Sequence, residues 1–373
     1  PLYSSAASDV YKRQVLYLSV FCLSSALFGY GVYRKNKVMK WAGIIPPLLL
    51  ASLRYGVGTD YGTYELLFNQ FSRGSLADYL QDSSSAEPGF YILVQISNFL
   101  TGDSAPMFAI AAALSLIFFY LGLNRYNIKH PALVYFLYLM VLFPMTLNLV
   151  RQGIAVSIVF YALSFFIERD FKKYLVFMII AGLFHMSAFI LLPVYFLNRL
   201  TKTKYENVYL TSLPKLATVA GCILIFIPFF SSLVMQMPAF SKYGMYTVNA
   251  GEGANYTLLL QIAILISGII LIRRLINDSN RKLYTTIIIF ATLEVVFGTI
   301  GYSSTFIKRI GLYFSIFGFM LLAESTGVLK NWGGKVLSSC FVIGYGIVYF
   351  MIAYCILGQS DLFPYTLIVG GLK

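Results

Sequence analysis

Apolar runs of membrane-spanning length recur along the whole chain, and no other feature restricts its fold as much. They occupy residues 15–33, 105–123, 132–147, 149–167, 215–235, 257–272, 283–300, 308–325 and 336–357, with shorter runs at 41–53, 88–100, 174–184 and 185–198. A helix of about 20 apolar residues crosses the hydrocarbon core of a bilayer, and fewer suffice where aromatic residues sit at the interface. Lipid offers the backbone no hydrogen-bond partner, so each run must satisfy its own amides as a helix. Composition agrees. Hydrophobic residues make up 58% of the chain and charged residues 12%, against about 25% charged in a soluble domain. So few charges cannot give a 41.9 kDa chain of mean hydropathy +0.75 a water-facing surface. A soluble enzyme, a disordered chain and a disulfide scaffold are excluded. The expected fold class is all-α: a polytopic transmembrane helical bundle of about 11–14 helices, short or re-entrant segments included.

The net charge of +13 is distributed in short clusters between the apolar runs, at 34–40, 124–130, 168–173, 199–204, 273–282 and 326–335. Lys and Arg collect on the cytoplasmic side of a membrane protein. These loops are therefore expected inside, and the loops 54–87, 236–256 and 301–307, with the tail after 358, outside. The same distribution argues against nucleic acid as a partner. The topology is consistent only if 88–100 does not cross. That run is short and carries Gln95, Ser97 and Asn98, so it reads as a re-entrant or interfacial helix lining a cavity, with the N-terminus outside. Residues 1–14 are polar and small and resemble translated adapter sequence. Setting them aside leaves 15–373 as one integral membrane domain. The four cysteines lie inside apolar runs without paired spacing, and His130 and His185 are the two histidines. No metal site, redox pair or cofactor is expected.

Four polar motifs stand at the expected outer ends of the runs. The first is Arg54-Tyr55-Gly56-Val57-Gly58-Thr59-Asp60-Tyr61, followed by Tyr64, with Glu65, Asp78, Asp82 and Glu87 further along the loop. It reads either as a loop held by an Arg54–Asp60 ion pair or as an anion site in which Arg54 binds a head group and Asp60 orients or deprotonates a hydroxyl. The second is Asn148-Leu149-Val150-Arg151-Gln152. An arginine in the first turn of a helix opposes the macrodipole, so its reason lies elsewhere: a bidentate grip on phosphate or snorkelling to head groups. Asn148 and Gln152 would add neutral hydrogen bonds. The third is His185, a packing residue or a neutral base for a sugar hydroxyl. The fourth is Lys308-Arg309 with Tyr313, a pair of cations at a helix start, preceded by Tyr302, Ser303 and Ser304. Glu294, within the preceding run, is expected to neutralise a cation as an internal ion pair.

The strings RYGVGTDYGTY (54–64), EPGFYIL (87–93), LNLVRQGIAVSIVFYAL (147–163), FHMSAFILLPVYFL (184–197), KRIGLYF (308–314) and DLFPYTL (361–367) together resemble the EpsG family, in order and over nearly the whole chain after Gln14. The resemblance implies a GT-C-like, metal-independent Wzy-type polymerase of exopolysaccharide or capsule. It would join oligosaccharide repeat units carried on undecaprenyl pyrophosphate at the outer face of the bacterial cytoplasmic membrane. A flippase and a chain-length regulator are implied as partners. Arg54, Asp60, Arg151, His185 and Arg309 occupy the polar motif positions. In the expected mechanism Arg54, Arg151, Lys308 and Arg309 hold the pyrophosphate, Asp60 or His185 is the base, and Tyr55, Tyr61, Tyr64, Asn148, Gln152 and Tyr313 line the substrate. The alternative is a lipid-linked sugar flippase or polysaccharide exporter, which would use the same arginines in a cavity open to both faces. An acyltransferase is disfavoured for want of a cytoplasmic acyl-donor site.

Overall fold

The computed structural model describes residues 2–81, 86–202, 256–277, 279–300 and 305–367. Among these residues the chain is all helix and connection, with one isolated β-bridge between Arg54 and Leu367. Six helical segments are long and apolar enough to cross a membrane: Gln14–Tyr33, Ala105–Arg125, Val150–Glu168, Arg281–Thr299, Ile307–Val328 and Trp332–Ile356. The protein is an all-α, multi-pass membrane protein. The expected span 215–235, most of the loop 236–256, and Tyr302, Ser303 and Ser304 lie outside the described residues.

Helices α1 (Leu2–Tyr33) and α2 (Lys37–Ser52) form the first hairpin. Asn36 closes it by accepting a hydrogen bond from the Met39 amide at 3.2 Å, as an N-cap residue does. Beyond the first polar loop come α3 (Tyr61–Arg73), α4 (Leu76–Gln81), α5 (Pro88–Thr101) and α6 (Ala105–Arg125). The expected span 132–147 is a broken helix: α7 (Pro131–Leu137), a π-helical turn (Tyr138–Leu142) and α8 (Phe143–Thr146). Then follow α9 (Val150–Glu168), α10 (Phe171–Phe184) and a three-residue-per-turn helix over Met186–Lys202. The last helices are α11 (Tyr256–Ile272), α12 (Arg281–Ile300), α13 (Thr305–Gly311), α14 (Ser315–Ser325) and α15 (Trp332–Phe350). Helix α15 runs into a second π-helical segment, Met351–Ile356. The two π segments touch, the Tyr354 hydroxyl donating to the Val141 carbonyl at 2.5 Å.

Side-chain pairs fix which helix ends lie together. At the C-terminal ends of α6 and α9, Arg125 binds both carboxylate oxygens of Glu168 and donates to Ser164 at 2.8 Å, so these helices run parallel. Buried Glu324, near the end of α14, accepts the backbone amides of Lys129 and His130, each at 2.8 Å, and the Tyr284 hydroxyl at 2.8 Å. The basic loops thus gather at one end of the bundle. The N-termini of α5, α6 and α9 and the C-terminus of α10 lie at the other.

Helix α5 begins and ends at that second end. Glu87, its N-cap, meets Arg151 at the start of α9, while Ser97 bonds Asp103 and Met107 at the start of α6. It therefore does not traverse the bundle, but its polar side chains do not line a cavity as expected. Gln95 donates to the Phe71 carbonyl at 2.8 Å and Asn98 to the Ser72 carbonyl at 3.3 Å. They satisfy the orphan carbonyls at the C-terminus of α3. Helix α3 in turn buries Tyr61, Tyr64, Phe68 and Phe71 on one face, the stripe of an amphipathic surface helix.

The segment 358–367 folds back over the first polar loop. The Tyr55 amide donates to the Thr366 carbonyl at 2.9 Å, the Gly58 amide to the Asp361 carbonyl at 3.1 Å, and the Tyr365 hydroxyl to the Leu50 carbonyl at 2.8 Å. Thr366 returns a side-chain hydrogen bond to the Tyr55 carbonyl.

Candidate functional site

The site is organised around a residue that the motif reading passed over. Glu87 precedes Pro88, which restricts it to extended backbone, and it stands at the N-cap with φ −61° and ψ 150°. Its side chain makes no cap hydrogen bond to its own helix. It turns instead into the bundle, where it is 2% exposed. One carboxylate oxygen forms an ion pair with the Arg151 guanidinium. The other lies 3.1 Å from His185 Nδ1 and accepts the Met186 amide at 3.4 Å. Segments 64 and 98 residues apart in sequence from Glu87 are joined through this one group.

Arg151, in the first turn of α9, also stands 5.8 Å from the Phe90 ring centre and lies against the Tyr64 hydroxyl. Glu87 is the counter-charge that makes an arginine tolerable against the helix dipole. Burial pushes Glu87 toward the neutral acid. The His185 hydrogen bond and the Arg151 charge outweigh it and hold the carboxyl well below the usual carboxylate range. His185, 7% exposed, moves the other way. Burial pulls its pKa below 6.5, Glu87 pushes back, and Arg151 and Arg309 act with burial. The imidazole is neutral at pH 7. A carboxylate can only accept, so Nδ1 carries the proton and Nε2 is the basic nitrogen.

Arg309, on α13, is brought to the same place. Its backbone carbonyl accepts from Gln152 Nε2 at 2.8 Å, and its charge acts on His185. One turn on, buried Tyr313 shares a 2.8 Å hydrogen bond with Ser187, two residues beyond His185. Gln152 Oε1 is buried with no hydrogen-bond partner among the described residues, an acceptor that a hydroxyl-bearing ligand would satisfy. Arg151 and the charge of Arg309 thus stand with a neutral base at one end of the bundle, the groups an anionic ligand with a reacting hydroxyl would use. Among the described residues no group of three or more His, Cys, Asp or Glu converges as a metal would require.

Close backbone packing holds α5 in place. A Cβ on Gly89 would lie 2.7 Å from the Leu183 carbonyl oxygen, at the turn of α10 before His185. Gly89→Ala is expected to push α5 away, destabilising the protein by about 1–3 kcal/mol and lengthening the Glu87–His185 contact. A lowered melting temperature in detergent checks the first effect. Unchanged activity would contradict the second.

Other expected site residues are placed differently. Arg54 does not pair with Asp60. It is 2% exposed, 4.9 Å from the Phe108 ring centre and 5.9 Å from that of Tyr61, and donates to the Val57 carbonyl at 3.4 Å. Burial pulls its guanidinium down to about 10, and the surrounding tyrosines push back, so it stays charged within an aromatic cage. Tyr61 stacks on Phe108 and Tyr64 packs on Phe90, both as buried members of the α3 face, whereas Tyr55 remains exposed. Asn148 donates to the Ser360 carbonyl at 2.9 Å and lies against Gly58, whose φ of +111° and lack of a side chain admit it. Arg54, Asn148 and Gly58 thus belong to the packing that ties the first polar loop to the segment 358–367. Asp60 is half-buried at the start of α3, near enough to Tyr64 to act on it electrostatically. Lys308 separates from Arg309: it lines a different cavity together with Glu294. Glu294 does not form the expected ion pair; its partners are Gln261 and Ser315.

Of the expected residues, Arg151, His185, Arg309, Gln152, Tyr313 and Tyr64 converge. Glu87 was missed, although its position carried a signal. Ser, Thr, Asp and Asn are the usual N-caps, and a glutamate directly before an N1 proline has a side chain long enough to reach other partners.

Neither a curated protein nor a solved structure matches the chain. The profile of the EpsG family matches residues 37–367, a range that contains every residue of the Glu87 cluster and the C-terminal segment folded onto the first polar loop. With this match over most of its length, the chain belongs to the EpsG family, a group of polysaccharide-related membrane proteins.

Proposed function

We propose that this protein is a Wzy-type glycosyltransferase. It polymerises oligosaccharide repeat units carried on undecaprenyl pyrophosphate into exopolysaccharide or capsule, at the outer face of the bacterial cytoplasmic membrane. The observation that carries the reading is the gathering of Arg151, His185 and Arg309 around Glu87 at the end of the bundle away from the basic loops. In the reaction a hydroxyl of the incoming lipid-linked unit attacks the anomeric carbon of the growing chain. The bond from that carbon to the pyrophosphate oxygen breaks, and undecaprenyl pyrophosphate leaves with the electron pair. His185 Nε2 takes the hydroxyl proton, while Glu87 holds the tautomer and steadies the imidazolium. Arg151 and Arg309 stabilise the charge that develops on the leaving group. A flippase would supply the lipid-linked unit, and a chain-length regulator would act on the product.

The test is purified protein in liposomes with a defined lipid-linked repeat unit. Lengthening of the glycan supports the reading. Movement of the lipid across the bilayer without new glycosidic bonds would make the protein a flippase instead. The pH profile adds a second check. The base must be neutral, and burial keeps it neutral to lower pH than an ordinary histidine. The rate is therefore expected to be flat through neutrality and to fall only on the acid side of 6.5. His185→Ala should remove this limb and cost about 10²–10⁴-fold in rate.

A further inference from the structure

A second polar compartment lies beside the arginine cluster, across one helix. It is a cavity of about 70 Å³ whose polar lining, among the described residues, is Glu294, Gln261, Lys308, Ser315 and Gln359, with Tyr349 as an aromatic wall. Glu294 sits six residues before the end of α12, about 9 Å along the helix axis, and is 6% exposed. Gln261 donates to it at 3.1 Å and Ser315 also hydrogen-bonds it. Gly318 makes room, because a Cβ there would collide with the carboxyl. Among the described residues no cation pairs with Glu294. A carboxyl placed inside a membrane bundle with amide and hydroxyl partners marks a site by default. Both π-helical segments border the compartment: Val141 and Leu142 belong to the first, and Tyr349 stands just before the second. Such segments concentrate at functional sites.

The helix between the two compartments is two-sided. Lys308, Gly311, Leu312 and Ser315, at spacings of three and four, face the cavity. Arg309 and Tyr313, four apart, face Gln152 and Ser187. A ligand in the cavity and a pyrophosphate at the arginines would thus lie on either side of one helical wall. The lining of the cavity mixes donors, acceptors and a flat ring, the combination that suits a polyhydroxyl compound. Glu294 and Lys308 share that lining, so it selects for no net charge. At about 10–15 Å³ per water it has room for roughly five to seven waters, the scale of one sugar ring and not of a whole oligosaccharide.

We infer that the Glu294 cavity binds a single sugar ring of the acceptor, the incoming repeat unit, the second substrate that a polymerase must hold while the arginines grip the first. This rests on the polymerase reading above.

The test measures two ligands on protein in nanodiscs. Farnesyl pyrophosphate probes the arginine cluster, and the neutral oligosaccharide released by mild acid from the host's lipid-linked repeat unit probes the cavity. Wild type is expected to bind both. Glu294→Leu should weaken the oligosaccharide by about tenfold or more while farnesyl pyrophosphate binding stays within about twofold, showing the fold intact. Glu294→Gln, which keeps an acceptor for Gln261 and offers Ser315 a donor that its hydroxyl can accept, should retain most of the oligosaccharide affinity, and Gly318→Ala should mimic Glu294→Leu. Arg151→Ala should show the reverse pattern. Wild-type oligosaccharide affinity in Glu294→Leu, or equal loss of both ligands, overturns the assignment while leaving the polymerase reading in place. Failure of wild-type protein to bind farnesyl pyrophosphate, with the oligosaccharide response to Glu294→Leu as expected, would instead overturn the polymerase reading.

Discussion

Glu87→Gln is expected to lower the rate of polymer formation by about a thousandfold, on the order of 4 kcal/mol of barrier. Glutamine fills the same space but carries no charge to offset Arg151. Its amide also has one acceptor where Arg151 and His185 need two. The imidazole is then no longer held with Nδ1 protonated and Nε2 basic, and the part-buried guanidinium loses the carboxylate that faces it. The measurement is initial rate of glycan extension in liposomes at matched protein, for Glu87→Gln beside Glu87→Asp. Aspartate keeps the charge and should recover part of the loss. Stability follows the same group. Because the folded pKa of Glu87 is depressed, its contribution is complete above the unfolded value of about 4.3 and is lost as pH falls through the folded value. Wild type should therefore melt higher than Glu87→Gln throughout the range from about pH 5 to 7, and the gap should close only in stronger acid. A variant with the wild-type rate and the wild-type pH profile would remove Glu87 from the mechanism.

Arg151→Ala is expected to cost on the order of 3 kcal/mol, roughly a hundredfold in rate. Arg151→Lys should not restore it, since an ammonium cannot pair with Glu87 and grip two phosphate oxygens in one plane. Arg309→Ala should lose a comparable amount. If both arginines act on one leaving group, the double variant will depart from additivity by about 0.5–3 kcal/mol. Strict additivity would mean that they serve separate ligands. The control is melting temperature, because Arg151→Ala leaves Glu87 without its cation while Arg151→Lys does not. A rate loss shared by both variants therefore reports on chemistry and not on folding.

The bundle was legible from hydropathy because lipid makes the same demand of every span. Residues 15–33, 149–167 and 336–357 became long helices. The break in 132–147 was not legible, since the π turn at Tyr138–Leu142 depends on neighbours such as Phe119, stacked 3.8 Å from Tyr138, and Tyr354. Arg151, His185 and Arg309 stood out because cations and imidazole are rare at such positions and conflict with helix dipole or apolar surroundings. Glu87 did not, because it lay among other acidic residues of a polar loop, and only tertiary packing selects it. Arg54 shows the opposite error. Its motif had the composition of an anion site, yet Phe108 and the tyrosines around it, contributed by four separate segments, enclose the charge. Lys308 and Arg309 are adjacent in sequence and face different compartments, a division set by helical rotation that a local motif does not display.

The clamp between the first polar loop and the segment 358–367 has a consequence for biogenesis. Its contacts join residues separated by more than three hundred positions, 311 in the case of Thr366 and Tyr55. A nascent chain threaded into the bilayer from its N-terminus therefore carries the first polar loop long before the segment that ties it exists. Translation products that stop short of Asp361 would insert their helices yet leave that loop untied, its Tyr55 and Gly58 amides without the carbonyls that accept them.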